Sequence, residues 1–223
     1  MKTWRILVSL CLLMLASCAH TLMDTSAKAD NFWFIFLETG KKTPNDKELV
    51  TNMQRGHIKN FERLFAEQKL FAAGPLQDPT GLKRGIVIVK APSRDELASY
   101  FQLDEYVRDG YMTLNATPCV VHKGLATEGI DTTGIEEVRI VQLMRPASIG
   151  DARANHAFLQ SLLDKDIVSA WYTIESGPVA EILFAKTTDT KMLRETFAQN
   201  PAAQPDGGGV EIWGQWLSKG VVK

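Results

Sequence analysis

Few side chains in this sequence can move a proton, bind a metal or attack an electrophile. The chain has 4 histidines (His20, His57, His122, His156) and 3 cysteines (Cys11, Cys18, Cys119). Imidazole titrates near neutrality and so can take or give a proton, and imidazole and thiolate together are the usual ligands of zinc. Here the histidines are scattered, with no metal-ligand spacing among them and the cysteines. Cys11 and Cys18 belong to an N-terminal apolar leader and its end, so Cys119 is left alone in the body of the chain. Neither an intramolecular disulfide nor a cysteine metal site is expected. Cys119, between Pro118 and Val120-Val121, reads as a buried strand thiol rather than a nucleophile. His57 stands out by its setting. Met53, His57, Phe61 and Leu64 recur at spacings of three and four, which is one apolar face of a helix. On such a face a histidine is either a satisfied core residue or a base turned toward the sheet, and the residues alone favour the first reading.

Composition narrows the class without naming an activity. The chain has 223 residues, 45% hydrophobic and 23% charged, with a formal net charge of −1. Those values exclude a disordered tail, a collagen-like repeat and a multi-span membrane protein. Lysine plus arginine (25) nearly equals aspartate plus glutamate (26), so no broad cationic field exists and no nucleic-acid partner is expected. The first residues are an address. Lys2 and Arg5 precede the apolar run from Ile6 to Ala16, too short for the ~20 residues a membrane span requires. Leu15-Ala16-Ser17-Cys18 then resembles the lipobox of a bacterial lipoprotein signal. That resemblance implies a signal peptide over 1–17, lipidation of Cys18 and a polar tether over 18–30. Ala19 after the cysteine favours sorting to the outer membrane, facing the periplasm.

The rest of the chain must position whatever chemistry there is. Phe32 to Leu37 (FWFIFL) reads as a buried strand, and Asn45 or Asp46 caps the helix that carries His57. Strands follow at Leu70–Leu76 and Gly85–Lys90. Ser93 caps a second helix facing inward with Leu97, Tyr100 and Phe101, and Tyr111–Val121 completes a βαββαβ unit over 31–125. Residues 126–136 have a linker's glycine, threonine and acid mix. The same order then returns over 137–223: strand Val138–Met144, helix Gly150–Asp164, strands Ile167–Ile174 and Glu181–Lys186, helix Thr190–Gln199, strand Val210–Leu217. A gapless offset of 96 matches Ile86 with Ile182, Lys90 with Lys186, Leu97 with Leu193 and Phe101 with Phe197. The expected fold is α+β, with tandem ferredoxin-like units of the dimeric α/β-barrel type forming an intrachain pseudo-dimer.

The first unit resembles the YCII-related (YciI-like) family of small dimeric α/β-barrel proteins. His57 in the first helix, Leu70-Phe71-Ala72-Ala73-Gly74-Pro75, and Asp104-Glu105-Tyr106-Val107 with Gly110 after it carry the resemblance. It implies that His57 and Asp104 form a catalytic dyad, with Glu105 standing where the family has proline. A carboxylate on one ring nitrogen would fix the tautomer and leave the other nitrogen to take a substrate proton. Asp104, at the end of the second helix, can meet His57 because both helices cover one face of the sheet. Gly74, Pro75 and Tyr106 are ligand-lining candidates, although Gly74-Pro75 also suits a plain strand end and Tyr106 plain packing. Trp33, Trp171, Trp213 and Trp216 read as packing residues, and Gly207-Gly208-Gly209 as a turn.

The second unit departs from the pattern. Asp104 aligns with Asn200, and His57 aligns with Ala154 or, after a two-residue shift, with His156. It therefore reads as a degenerate half that completes the barrel. Two functions follow. The resemblance implies lyase, isomerase or hydrolase chemistry on a small metabolite with no cofactor. The alternative is a non-catalytic envelope lipoprotein that binds a small ligand or docks a protein. Pairing into a homodimer stays open.

Overall fold

The computed structural model describes residues 31–145, 152–201 and 209–223. The leader, Cys18, the tether, Gly150 and Gly207-Gly208 lie outside the described residues.

The first lobe runs β1 (Asn31–Thr39), α1 (Lys47–Ala66), β2 (Leu70–Pro75), β3 (Lys83–Ala91), α2 (Arg94–Ser99), α3 (Glu105–Arg108) and β4 (Met112–Lys123). The second runs β5 (Asp131–Met144), α4 (Ala152–Asp164), β6 (Ala170–Ile174), β7 (Val179–Ala185), α5 (Thr190–Phe197) and β8 (Val210–Lys219). The eight strands make one sheet in the order β2-β3-β1-β4-β6-β7-β5-β8. The order within each lobe is the same, and every neighbouring pair is antiparallel. The lobes join where β4 pairs with β6, Val120 opposite Thr173 and Val121 opposite Tyr172. The sheet nearly closes on itself at the other seam. There Leu76 bridges Gln215, and the Gln77 N–H donates to the Gly214 carbonyl at 2.9 Å. The result is the expected α+β barrel of two ferredoxin-like units.

Side chains alternate across this sheet as the pleat demands. On β1, Phe34 and Phe36 point into the barrel with Ile86, Ile88, Ile140, Ile182 and Phe184. Trp33, Ile35 and Leu37 point outward under α1 and α2, with Leu64, Leu97 and Phe101. The second lobe repeats this, its outward layer holding Val141, Leu159, Leu183, Leu193 and Phe197. The residue pairs aligned by the offset of 96 behave alike. Ile86 and Ile182 share the barrel interior, while Leu97 and Leu193 anchor their helices.

Two local expectations change. The linker composition over 126–136 conceals a strand start, because β5 begins at Asp131 and pairs with Lys219. The Asp131 carboxylate accepts from the N–H groups of Thr133 and Gly134, which absorbs the register shift before Ile135. Leu125, just before, is buried in the barrel cluster, and its N–H donates to the Tyr172 hydroxyl at 2.9 Å. The second change concerns Asp104. It does not end α2, which stops at Ser99, but caps α3 at its N-terminus.

Candidate active site in the first lobe

Helix α1 brings His57 to the sheet. Asp46 caps it by accepting from the N–H groups of Glu48 and Leu49, and Met53, His57, Asn60 and Leu64 form its buried face. Asp104 arrives from the turn after α2. Its Oδ1 accepts from the Tyr106 N–H at 3.0 Å, the capping bond of α3, and its Oδ2 lies 2.6 Å from His57 Nδ1. Asp104 is 0% exposed and His57 7%. A carboxylate in its charged form can only accept, which places the shared proton on Nδ1, and Nε2 has no hydrogen-bond partner among the described residues. The imidazole is held between two rings. Phe61 lies at 4.4 Å between centroids and Tyr106 at 5.7 Å, both edge-on.

Beside this pair an open hollow of about 450 Å³ is lined by Val50, Thr51, Gln54, Arg55, Ile58 and Tyr106. Tyr106 belongs to both places. Its ring meets the imidazole and its hydroxyl reaches the Val50 carbonyl at a long 3.5 Å. Arg55 bonds Asn52 Oδ1 at 2.9 Å and makes no ion pair among the described residues. His57 and Asp104 are not themselves in the hollow's wall.

The structure thus joins His57, Asp104 and Tyr106 but leaves Gly74 and Pro75 elsewhere. Gly74 lies opposite Ile86 on β2, and a Cβ there would collide with the Trp216 carbonyl of β8. What approaches this glycine is a strand rather than a ligand, so it serves barrel closure. Asn60 is a residue the sequence reading passed over. It lies one turn beyond His57 on the same buried face. Its Oδ1 accepts from Arg63, which also binds the Tyr100 carbonyl, and its Nδ2 is buried without a partner. Cys119 is a barrel residue, its thiol pushed up to about 12 by burial and the nearby Glu175 charge, which leaves it unionised at neutral pH.

In the second lobe the dyad's place is taken by two amides. Asn200 Nδ2 donates to Asn155 Oδ1 at 2.8 Å. Neither Ala154 nor His156 replaces His57; the residue between them does. This pair has no titratable member.

Residues 34–115 match the family model of the YCII-related domain, a span that holds both His57 and Asp104. The match covers most of the first lobe and none of the second. None of the curated proteins matches the chain in sequence. Among solved structures, a candidate monooxygenase from Fusobacterium nucleatum is similar over 86% of this chain and 96% of its own, with 10% identity and a TM-score of 0.54. A candidate monooxygenase from Lactobacillus acidophilus (85% and 94% covered, 11% identity, TM-score 0.47) and a heme-binding protein from Thermus thermophilus (86% and 93%, 11%, 0.46) are more distant. At 10% identity the Fusobacterium likeness shows the shared barrel and nothing about chemistry.

Proposed function

We propose that the first lobe is a small-molecule site in which His57 acts as a general base and Asp104 orients it. The reaction would be proton-transfer chemistry of the lyase, isomerase or hydrolase kind. The observation that carries this reading is the buried 2.6 Å contact between His57 Nδ1 and Asp104 Oδ2 with Nε2 left unbonded. Asp104 fixes the tautomer, and its charge would stabilise the imidazolium formed when Nε2 takes a proton. The hollow next to Tyr106 suits a small ligand with an apolar body against Val50, Ile58 and Tyr106, and a polar or anionic end toward Gln54 and Arg55. The leader and lipobox support a chain anchored at Cys18 in the cell envelope, its barrel on the periplasmic side of the outer membrane.

One observation favours the alternative of ligand binding without turnover: His57 does not line the hollow. A single experiment separates the two. The Cys18→Ala chain, expected to leave the membrane fraction, is screened by thermal shift against small carboxylic and phenolic metabolites, and the best stabiliser is titrated calorimetrically and assayed for turnover. With an enzyme, His57→Gln abolishes turnover. A hit bound equally well by His57→Gln and converted by neither form identifies a binding module. Persistent membrane association of Cys18→Ala overturns the anchor.

A further inference from the structure

The seam between the lobes carries a second polar cluster, built from β4 of the first lobe and β6, β7 and α4 of the second. His122 of β4 stacks on Trp171 of β6, ring centroids 3.7 Å apart and planes 17° from parallel. His156 of α4 tilts against the same indole at 4.8 Å and stands 5.4 Å from His122. Both imidazoles are exposed, while Trp171 is 1% exposed and forms their floor. Beneath them is Glu181 of β7. Its Oε2 accepts from Trp171 Nε1 at 2.8 Å and from the Thr173 hydroxyl at 2.7 Å.

The hydrogen bonds fix the proton positions. The single Thr173 hydroxyl proton goes to Glu181, so Thr173 Oγ1 must accept from His122 Nε2, 2.8 Å away. The proton of neutral His122 is therefore on Nε2 and the Nδ1 lone pair is unbonded. Glu181 is a half-buried carboxylate that accepts from the neutral Trp171 and Thr173 groups, and Arg145 and His156 act on its charge from beyond ion-pair distance.

We propose that His122 and His156 form a binding site for a first-row divalent transition ion such as zinc, copper or nickel. Two imidazoles on one tetrahedral zinc, with Zn–N of about 2.0–2.1 Å, have ring centroids about 5 Å apart. The observed 5.4 Å is close to that separation. The chain His122–Thr173–Glu181 is the outer support that orients a metal-bound imidazole and raises its basicity. Nitrogen donors select this class over calcium or magnesium. No three of the described His, Cys, Asp and Glu side chains converge as ligands, so water or an exogenous ligand completes the coordination. The site needs no catalytic role for His57.

The test uses the full-length chain with His20→Ala, which removes the leader-proximal imidazole, titrated calorimetrically with copper, nickel and zinc salts while tryptophan fluorescence is followed. One equivalent should bind, and copper or nickel should quench the Trp171 emission. His122→Gln and His156→Gln, both at exposed positions, should each weaken binding at least tenfold. Glu181→Gln should weaken it about tenfold through the lost outer support. Trp171→Phe should keep the calorimetric binding and lose the quench. No saturable binding, or binding unchanged in both histidine variants, overturns the site.

Discussion

Asp104 has two oxygens and two tasks, which can be separated by substitution. Oδ2 holds the His57 ring and Oδ1 caps α3. Asp104→Ala strands a buried imidazole N–H and the Tyr106 N–H, each costing about 1–3 kcal/mol. The fold should therefore lose roughly 2–6 kcal/mol in urea unfolding. Asp104→Asn keeps the cap, but its amide N–H must donate to His57 Nδ1 and drive the ring proton onto Nε2. Stability should stay within about 1 kcal/mol of the parent, the spread expected for a neutral hydrogen bond. The unbonded lone pair, and with it any base, should vanish. Nitrogen NMR of the imidazole reads the tautomer directly; an Nδ1–H in Asp104→Asn would contradict the assignment. His57, Asp104 and Tyr106 were legible in the sequence because a helical stripe and a short motif contain them. His122, His156, Trp171 and Glu181 were not. They come together only when β4 of one lobe lies beside β6 of the other, a pairing that no local pattern encodes. Trp171 does pack, as its strand position suggested, yet its indole N–H has a specific carboxylate partner.

At the scale of elements, the two seams of the barrel differ in strength. β4 and β6 share several paired residues, whereas the other seam has the Leu76–Gln215 bridge just beyond β2, the Gln77–Gly214 hydrogen bond and a close approach at Gly74. Any side chain on Gly74 meets the Trp216 backbone, which cannot move aside like a flexible side chain. Gly74→Ala should therefore cost about 1–3 kcal/mol, as overpacking does. In a chain of this size that lowers the midpoint by roughly 2–4 °C per kcal/mol. Gly56 gives the opposite sign. It lies inside α1 with open space where a Cβ would stand, so Gly56→Ala should stabilise by about 0.5–1 kcal/mol. Scanning calorimetry of the two variants checks the pair, and equal shifts would show that seam contact does not matter. The Ala-Gly-Pro run was visible in the sequence, but its purpose was not. A glycine that admits a ligand and one that admits a strand look the same until the sheet has closed. The start of β5 was hidden for a related reason: Asp131, Thr133 and Gly134 have loop chemistry, and they spend it on a bulge inside a strand.

At the scale of the whole molecule, the repeated strand order has a mechanical consequence. Neither lobe can cover its inner sheet face alone. Phe34, Phe36, Ile86 and Ile88 of the first lobe are buried against Ile140, Tyr172, Ile182 and Phe184 of the second. Fully burying each such side chain is worth about 1.5–3 kcal/mol, so exposing four of them would cost about 6–12 kcal/mol, comparable to the whole stability of a typical domain. The edges have the same problem. β4 and β2 are the outer strands of the first lobe, and their outer edges are covered only because β6 and β8 are present. A chain cut down to residues 31–126 would therefore have an uncovered apolar face and two open edges. Because the second lobe has the first lobe's strand order, a second copy of the fragment can take its place, β4 pairing with β2 of the other copy at both seams. The fragment should elute as a dimer in size-exclusion chromatography with light scattering, or else aggregate. Phe34→Asp, a charge in the middle of the shared interior, should leave it unfolded rather than monomeric and folded. A folded, monodisperse monomer of the parent fragment would mean that the first lobe's core is complete within its outer helix layer, and that the second lobe is an attachment rather than the other half of the barrel.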